Sequence, residues 1–579
     1  MADTRDTEQQ DGEQKDTVSD DQDSSHTEER NTSKSSEQQG EQERAPNANQ
    51  ASNQIPDRTA GSPVGKESPE HARKRKQEYS NSLVESVKYW QGDDKIPTDI
   101  EKVKGTLKDV SGLGESFDLV FREMTFAGRK FGYFFVSGFA KDNIMQIVLA
   151  RLSMLDEKQI SADALRAFFD LYIPHIQVEL MTSMSQTINK VFQGYSVFYI
   201  EQESTSIVLD TRNYPARGPD EPSLEKVVRG ARDGFNETLL TNVALVRRRV
   251  RDPGLKVEIM QVGRRTQTDV SILYIDDIAD IRLVESIRKK IQAVDVYGLP
   301  LADKQLEEAI IQKGWNPYPL VRYSERPDVV ADHLLDGSVV ILVDTSPSVM
   351  IMPTTFFDLC QHAEENRQTA FMGTYLRWIR FLGIFASLFL LPLWLLLVIE
   401  PGLKPAYLQI LGPQETGKLP LLLQFVLAEF GVDLMRMASI HTPAPLATAM
   451  TLVAAILLGE IAVKTGVFVY EVILYMAFAA VGMFATPSYE LALANRIVRL
   501  ILLFAVAFFK VHGLIIGITI YIIVLTLHRS YNSSYLWPFI PFNAKAMFNI
   551  FVRQPVLNNK DRPSLNKPKD RTKMRNKQK

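Results

Sequence analysis

From about Tyr375 to His528 the sequence is a succession of apolar stretches, and the residues before it have the mixed character of a water-soluble protein. The stretch from Trp378 to Ile399 is uncharged after Arg380. Its length matches a bilayer crossing, which takes about 20 apolar residues. This segregation constrains the fold more than any average does. The mean hydropathy of −0.10 blends a polar part with a greasy one. The expected fold class is an α/β soluble N-terminal head of two lobes followed by a C-terminal all-α polytopic membrane domain.

Residues 1–78 contain no Phe, Tyr or Trp and very few aliphatics. Such a segment buries too little apolar area to offset its chain entropy and is expected to be a disordered polar tail. Its basic run, Arg73-Lys-Arg-Lys76, reads as a solvated tether, and no nucleic-acid partner is expected. The formal net charge of −3 carries little information, because acid and base are segregated along the chain. The N-terminus lacks the apolar core of a signal peptide. Cys360 is the only cysteine, so neither a disulfide framework nor a cysteine metal site is expected. The head is therefore expected on the cytoplasmic side.

The first lobe is expected over 79–255. Phe117–Phe126 and Lys130–Val136, joined through Ala127-Gly128-Arg129, follow hairpin grammar. Asn143–Leu155 and Ser161–Leu171 have helical periodicity. Strands are expected at Ser196–Ile200 and Ser206–Asp210, and helices at Ser223–Arg232 and Glu237–Arg248. The second lobe, 256–351, is read as strands at Val257–Val262, Val270–Ile275 and Val339–Leu342, with helices at Asp280–Val294 and Leu301–Lys313. A linker follows at 352–374, then the membrane domain at 375–528 and a basic cytoplasmic tail at 529–579.

Six apolar segments are placed in the membrane domain: 376–399, 419–438, 446–463, 469–486, 492–510 and 513–528. Four crossings remain open if 419–438 or the final pair is re-entrant. Basic residues before the first segment and in the tail put both termini in the cytoplasm. Charges inside such segments are costly, roughly 2.5–3.5 kcal/mol each on insertion scales, so they face a bundle interior or a water path. Glu429, Asp433 and Arg436 recur at i, i+4, i+7 and share one helix face; they are candidate gating or inter-helix charges. Glu460 and Lys464 lie at i, i+4. With Thr448 and Leu457 they make the segment at 446–464 the candidate pore lining. Small residues from Ala454 to Gly482 favour close helix approach. Lys510 and His512 fall at a tight turn between the last two segments.

No catalytic constellation emerges, and no enzyme activity or cofactor is expected. Gly412-Pro-Gln-Glu-Thr-Gly-Lys418 matches a phosphate-binding loop only superficially, since Leu419 stands where Ser or Thr would hold Mg2+. It reads as a polar turn. The eight histidines are scattered without metal-ligand spacing.

Several motifs in order resemble the A-subunit family of spore germination proteins. They are Arg229-Gly-Ala-Arg-Asp-Gly-Phe-Asn-Glu237, Asn242, Leu245-Val-Arg-Arg-Arg249, Ser324-Glu-Arg-Pro-Asp328 with Leu334-Leu-Asp-Gly337, and Met352-Pro-Thr-Thr-Phe356. The resemblance spans about residues 110–550. Asp358–Glu365, Thr374–Arg380 and Phe484–Asn495 point to the AF-type branch. Nutrient-receptor members carry an Asp-Tyr-Tyr-like stretch where this chain has Glu364-Glu-Asn-Arg367. The resemblance implies a protein of the spore inner membrane that forms ring-shaped homo-oligomers, taken as pentamers, and conducts ions in germination. It also implies a small membrane partner and functional coupling to germinant receptors. A nutrient-receptor A subunit and a secondary transporter stand as alternatives.

Overall fold

A computed structural model describes residues 94–573, apart from 156–163, 174, 176, 215–224, 226, 312–315, 406, 408–411, 415–416, 442–451, 454–455 and 532. The polar segment 1–78 and the third apolar segment up to 451 therefore lie outside the described residues.

The first lobe is a five-stranded antiparallel sheet with spatial order β1-β2-β4-β5-β3. Helix α1 (Ile100–Ser111) precedes it, capped by Asp99 at one end and by Gly112 at φ 75° at the other. Strands β1 (Leu119–Phe126) and β2 (Arg129–Val136) form the expected hairpin around Ala127 and Gly128, both at positive φ, the conformation a two-residue turn requires. Helix α2 (Asp142–Ser153) comes next, then β3 (Val178–Met181), α3 (Met184–Phe192), β4 (Ser196–Ile200) and β5 (Ser206–Leu209). Helices α1 and α3 bury Val103, Leu107, Ile188 and Val191 against one sheet face, and Met145, Leu152 and Phe168 cover the other.

Helix α4 (Leu239–Arg249) joins the lobes. Its Ala244 packs with the first lobe's core, while Val243 and Val246 belong to the second's. Arg247, fully buried, donates from Nε and Nη2 to both oxygens of Asp118 at 2.8 and 2.9 Å, and from Nη1 to Leu255 O at 3.0 Å. This bidentate pair pins the start of β1 to the start of the second sheet.

The second lobe has strands β6 (Leu255–Val262), β7 (Thr268–Ile275), β8 (Arg322–Ser324), β9 (Val339–Val343) and β10 (Val349–Met352) in the order β6-β7-β9-β10-β8, again antiparallel. Helices α5 (Ile281–Gln292) and α6 (Ala302–Ile311) cover one face, and α4 with α7 (Pro327–Leu335) covers the other.

The helix expected at Ser223–Arg232 does not form over its described residues. Gly230 stands at φ 127°, and the Arg326 guanidinium takes Glu225 O and Ala231 O at 3.1 and 3.0 Å. The segment's carbonyls thus serve an arginine instead of a helical ladder.

The C-terminal part is helical. Its elements are α8 (Ala370–Ile399), α9 (Leu421–His441), a short π turn at Ile456–Ile461 running into Ala462–Lys464, α10 (Tyr470–Phe484), α11 (Tyr489–Leu527) and α12 (Ala544–Phe551). Among the described residues α8 and α11 are long and apolar enough to cross a membrane, and α10 is a shorter apolar helix. Helix α11 folds back on itself at Lys510, whose φ of 52° and ψ of −129° are non-helical. A Cβ on Gly517 would fall 2.5 Å from Leu502 Cδ2, although a straight helix would hold those residues about 22 Å apart. The two arms meet where expected, around Lys510 and His512.

The region expected as a basic tail is largely structured and lies on the head. Lys569 N donates to Ile278 O at 2.9 Å, Asn566 Nδ2 to Asp336 O at 2.8 Å, and Arg562 Nε to Leu335 O at 2.8 Å. Its cations meet acidic groups and carbonyls at the end of α7, a complementarity that composition alone does not reveal.

Candidate functional site

Glu429 is the centre of the helical part. It is 1 % exposed and lies between two arginines of α11. Arg496 Nε donates to Glu429 Oε2 at 3.0 Å, Arg499 Nε stands 2.6 Å from Oε1, and Arg496 Nη2 donates to the Glu429 carbonyl at 2.8 Å. Asp433, one turn on, pairs with Arg496 as well. The i, i+4 spacing puts both carboxylates on one face of α9, and the i, i+3 spacing puts both guanidiniums on one face of α11.

One further donor of Arg499 has a structural explanation. Arg499 Nη1 donates to Ser387 O at 2.6 Å. Ser387 lies in a π-type stretch of α8, Ala386–Leu390. In that register the donor to Ser387 O would be residue 392, which is proline and has no N–H. Arg499 therefore fills a gap that Pro392 opens, and three helices converge on one charge cluster.

Arg436 takes a different course from Glu429 and Asp433. Its guanidinium lies 5.4 Å from the Phe484 ring centre and 5.5 Å from that of Tyr489, with Nη2 3.1 Å from Met483 Sδ. Glu460 and Lys464 pair with each other along their own helical turn, with side chains 58 % and 68 % exposed. Thr448 lies outside the described residues, as does the Leu457 side chain. Of the four candidate pore residues, the described side chains are thus an exposed ion pair on an otherwise apolar element.

The start of α11 also holds the head. Lys304 of α6 bridges Glu307 and Glu490, reaching Glu490 Oε1 at 2.8 Å. Tyr318 donates its hydroxyl to Asn495 Oδ1 at 3.2 Å, and Asn495 is next in sequence to Arg496. Lys304, Arg322, Tyr323, Leu359 and Glu490 line a cavity of about 250 Å³ at this junction. Head contacts at 490 and 495 and core contacts at 496 and 499 thus fall within three turns of one helix.

A second buried carboxylate, Glu365, anchors the linker. Arg377 Nε stands 2.7 Å from Glu365 Oε2, Arg380 pairs with the other oxygen, and Arg377 Nη1 donates to Asn549 O and Ile550 O, both at 2.8 Å. Neighbouring Glu364 accepts from Val228 N at 3.0 Å, and Arg367 pairs with Asp328. Asp328 is held below the usual carboxylate range by Arg326 and Arg367, against the opposing effect of burial.

Arg496, Arg499 and Glu365 were not among the sequence candidates. The available signal was the pairing of complementary spacings, two acids at i, i+4 in one apolar segment and two arginines at i, i+3 in another. In the Gly412–Lys418 stretch, Lys418 Nζ donates to Thr465 O at 2.7 Å, which commits the lysine a nucleotide site would need. Among the described residues no three His, Cys, Asp or Glu side chains converge as a metal site.

Residues 107–565 match the family described as Bacillus/Clostridium GerA spore germination protein. This chain belongs to that family. It is 45 % identical over 464 residues to stage V sporulation protein AF of Bacillus subtilis, covering 80 % of this chain and 94 % of that protein. It is 30 % identical over 466 residues to spore germination protein GerLA of Bacillus cereus, covering 79 % and 94 %. The crystal structure of the N-terminal domain of the A subunit of the Bacillus megaterium spore germinant receptor GerK3 aligns over 46 % of this chain and 99 % of that one, at 24 % identity and a TM-score of 0.37. Membership in the GerA family supports a germination-related role, and the two long apolar helices agree with a membrane protein.

Proposed function

We propose that the chain is a subunit of an oligomeric ion channel of the spore inner membrane that promotes ion release during germination, acting as an AF-type amplifier rather than a nutrient sensor. The observation that carries this reading is the identity gradient, 45 % to stage V sporulation protein AF against 30 % to GerLA over nearly the same span. The Glu364–Arg367 stretch, which stands where nutrient-receptor members carry an Asp-Tyr-Tyr-like stretch, supports the same branch.

In this reading the helical part crosses the membrane six times, with both termini cytoplasmic. Copies assemble as a ring, taken as a pentamer, together with a small membrane partner and in functional coupling to germinant receptors. The chain is not an enzyme. Glu460 and Lys464 face the conduction path, where exposed charge is solvated by water or a neighbouring copy. The head acts on the path through α11.

Spores lacking the chain test the assignment. The expected result is slowed potassium release after germinant exposure, with the earliest germinant response retained. Loss of all response to one nutrient class would favour a receptor subunit instead. Saturable, counter-ion-coupled flux in liposomes would favour a transporter.

A further inference from the structure

We infer that the exposed aromatic face of α12, with the loops on either side of it, is a membrane-surface element that lies in the headgroup region of the bilayer beside the first span. The inference rests on the membrane placement proposed above and concerns residues outside the spans.

The position follows from α8. The cluster of Glu365, Arg377 and Arg380 holds one face of the first third of that helix against protein groups. From Phe381 to Ile399 the helix is uncharged, and its length, about 28 Å at 1.5 Å per residue, matches a hydrocarbon core of about 30 Å. The core edge therefore falls near Phe381. The C-terminal turn of α12 is bonded one turn before that edge, through Arg377 to Asn549 O and Ile550 O and through Trp378 Nε1 to Phe551 O at 2.8 Å.

The chemistry fits that depth. Helix α12 has eight residues, too short to cross a bilayer. It buries Ile550 and exposes Phe548 and, at the edge, Phe551. Phe539 and Phe542 before it, and Val556 and Leu557 after it, are also exposed. Beside them, Tyr375 and Trp378 stand out from α8, the residue types that gather at membrane–water boundaries. Lys545 on α12 pairs with Asp561, and this places the exposed Lys560 beside the helix as a cation for anionic headgroups. Continuity of this apolar band with the face of the first span selects lipid as its occupant over a second protein.

The single cysteine makes a direct test practical. Cys360 is buried and its thiol is pushed up by that burial, so an engineered surface cysteine is labelled selectively at neutral pH. Full-length Phe548→Cys, Ile520→Cys in the second arm of α11 and Tyr297→Cys on the head would each carry an environment-sensitive fluorophore. They would be reconstituted into liposomes containing lipids spin-labelled either near the headgroup or near the chain end. The expected result is at least twofold stronger quenching at residue 548 by the headgroup-side label than by the chain-end label, quenching at 520, and none at 297. Quenching at 520 with none at 548 overturns the inference and leaves the membrane placement standing, whether the 548 fluorophore reports water or a protein contact. Stronger quenching at 548 by the chain-end label also overturns it. No quenching at either site removes the membrane placement, and the inference falls with it.

Discussion

The head and the helical part each bury an arginine–carboxylate cluster, and the two are built differently. In the head, Asp118 meets one arginine, both of its oxygens are taken, and Arg247 spends its remaining donor on a strand carbonyl. The geometry is closed. In the helical part, Glu429 is shared by two arginines, Asp433 is only partly buried, and the surplus guanidinium capacity depends on carbonyls, one of them exposed by a π-type stretch. The first cluster is a strut between two lobes. The second joins three helices, and its arginines ride on the helix that touches the head. Breaking a buried pair generally costs more than the pair contributes, because a charge is left stranded.

The largest effect is expected for Glu429→Ala, which strands Arg499 and leaves Arg496 only Asp433 as a carboxylate partner. A loss of about 3–5 kcal/mol follows from removing one partner of a buried pair. It would be seen as sharply reduced full-length protein in spore membranes and a lowered melting midpoint. If Glu429→Gln restores protein level but alters ion release, the cluster serves function beyond holding helices together. Next comes Asp118→Ala, with a loss of about 3 kcal/mol from one stranded guanidinium. Proteolysis should then cut first near α4 and the joint between the lobes, while helical content of the apolar part persists. Uniform loss across both regions would mean the strut is not confined to the head. A smaller change, about 1 kcal/mol, is expected for Tyr318→Phe, which removes only the hydroxyl bonded to Asn495. Its more telling readout is potassium-release kinetics, since the contact lies one residue from Arg496.

A further effect concerns pH. His333, on the last turn of α7, is pushed down to about 3 by burial and by the nearby Arg322 and Lys573 cations. A histidine depressed in the folded state contributes stability that is full above its unfolded value of about 6.5 and is lost as pH falls below it. The melting midpoint of the wild-type chain should therefore fall more steeply between pH 7 and pH 5 than that of His333→Gln, conditions in the range where only the wild type gains a proton on unfolding. Parallel profiles would show that His333 is solvated.

Much of the head was legible in the sequence because its signals are local. The β1–β2 hairpin announces itself through alternation around Ala127-Gly128, and α5 through its caps and apolar stripe. Strand β8 did not, since three residues carry no period, and β10 is only four residues long. The false helix at Ser223–Arg232 had acceptable composition but lost its carbonyls to Arg326, a partner about a hundred residues away. In the helical part the charges were visible and their shared face was predictable. Their true partners were not, because Glu429 and Arg496 are 67 residues apart and the pairing depends on how helices stack. The place of Ser387 was equally hidden, because it depends on a local change of helical register ahead of Pro392.

The central claim is that the helical part conducts ions along a path that includes Glu460. Fusing membranes that contain the full-length chain to a planar bilayer, and comparing wild type with Glu460→Gln at matched protein levels, tests it most directly. The account predicts unitary currents in the wild type and an altered conductance or cation preference in the variant. Absence of unitary currents in the wild type, or identical currents in both proteins, would contradict it.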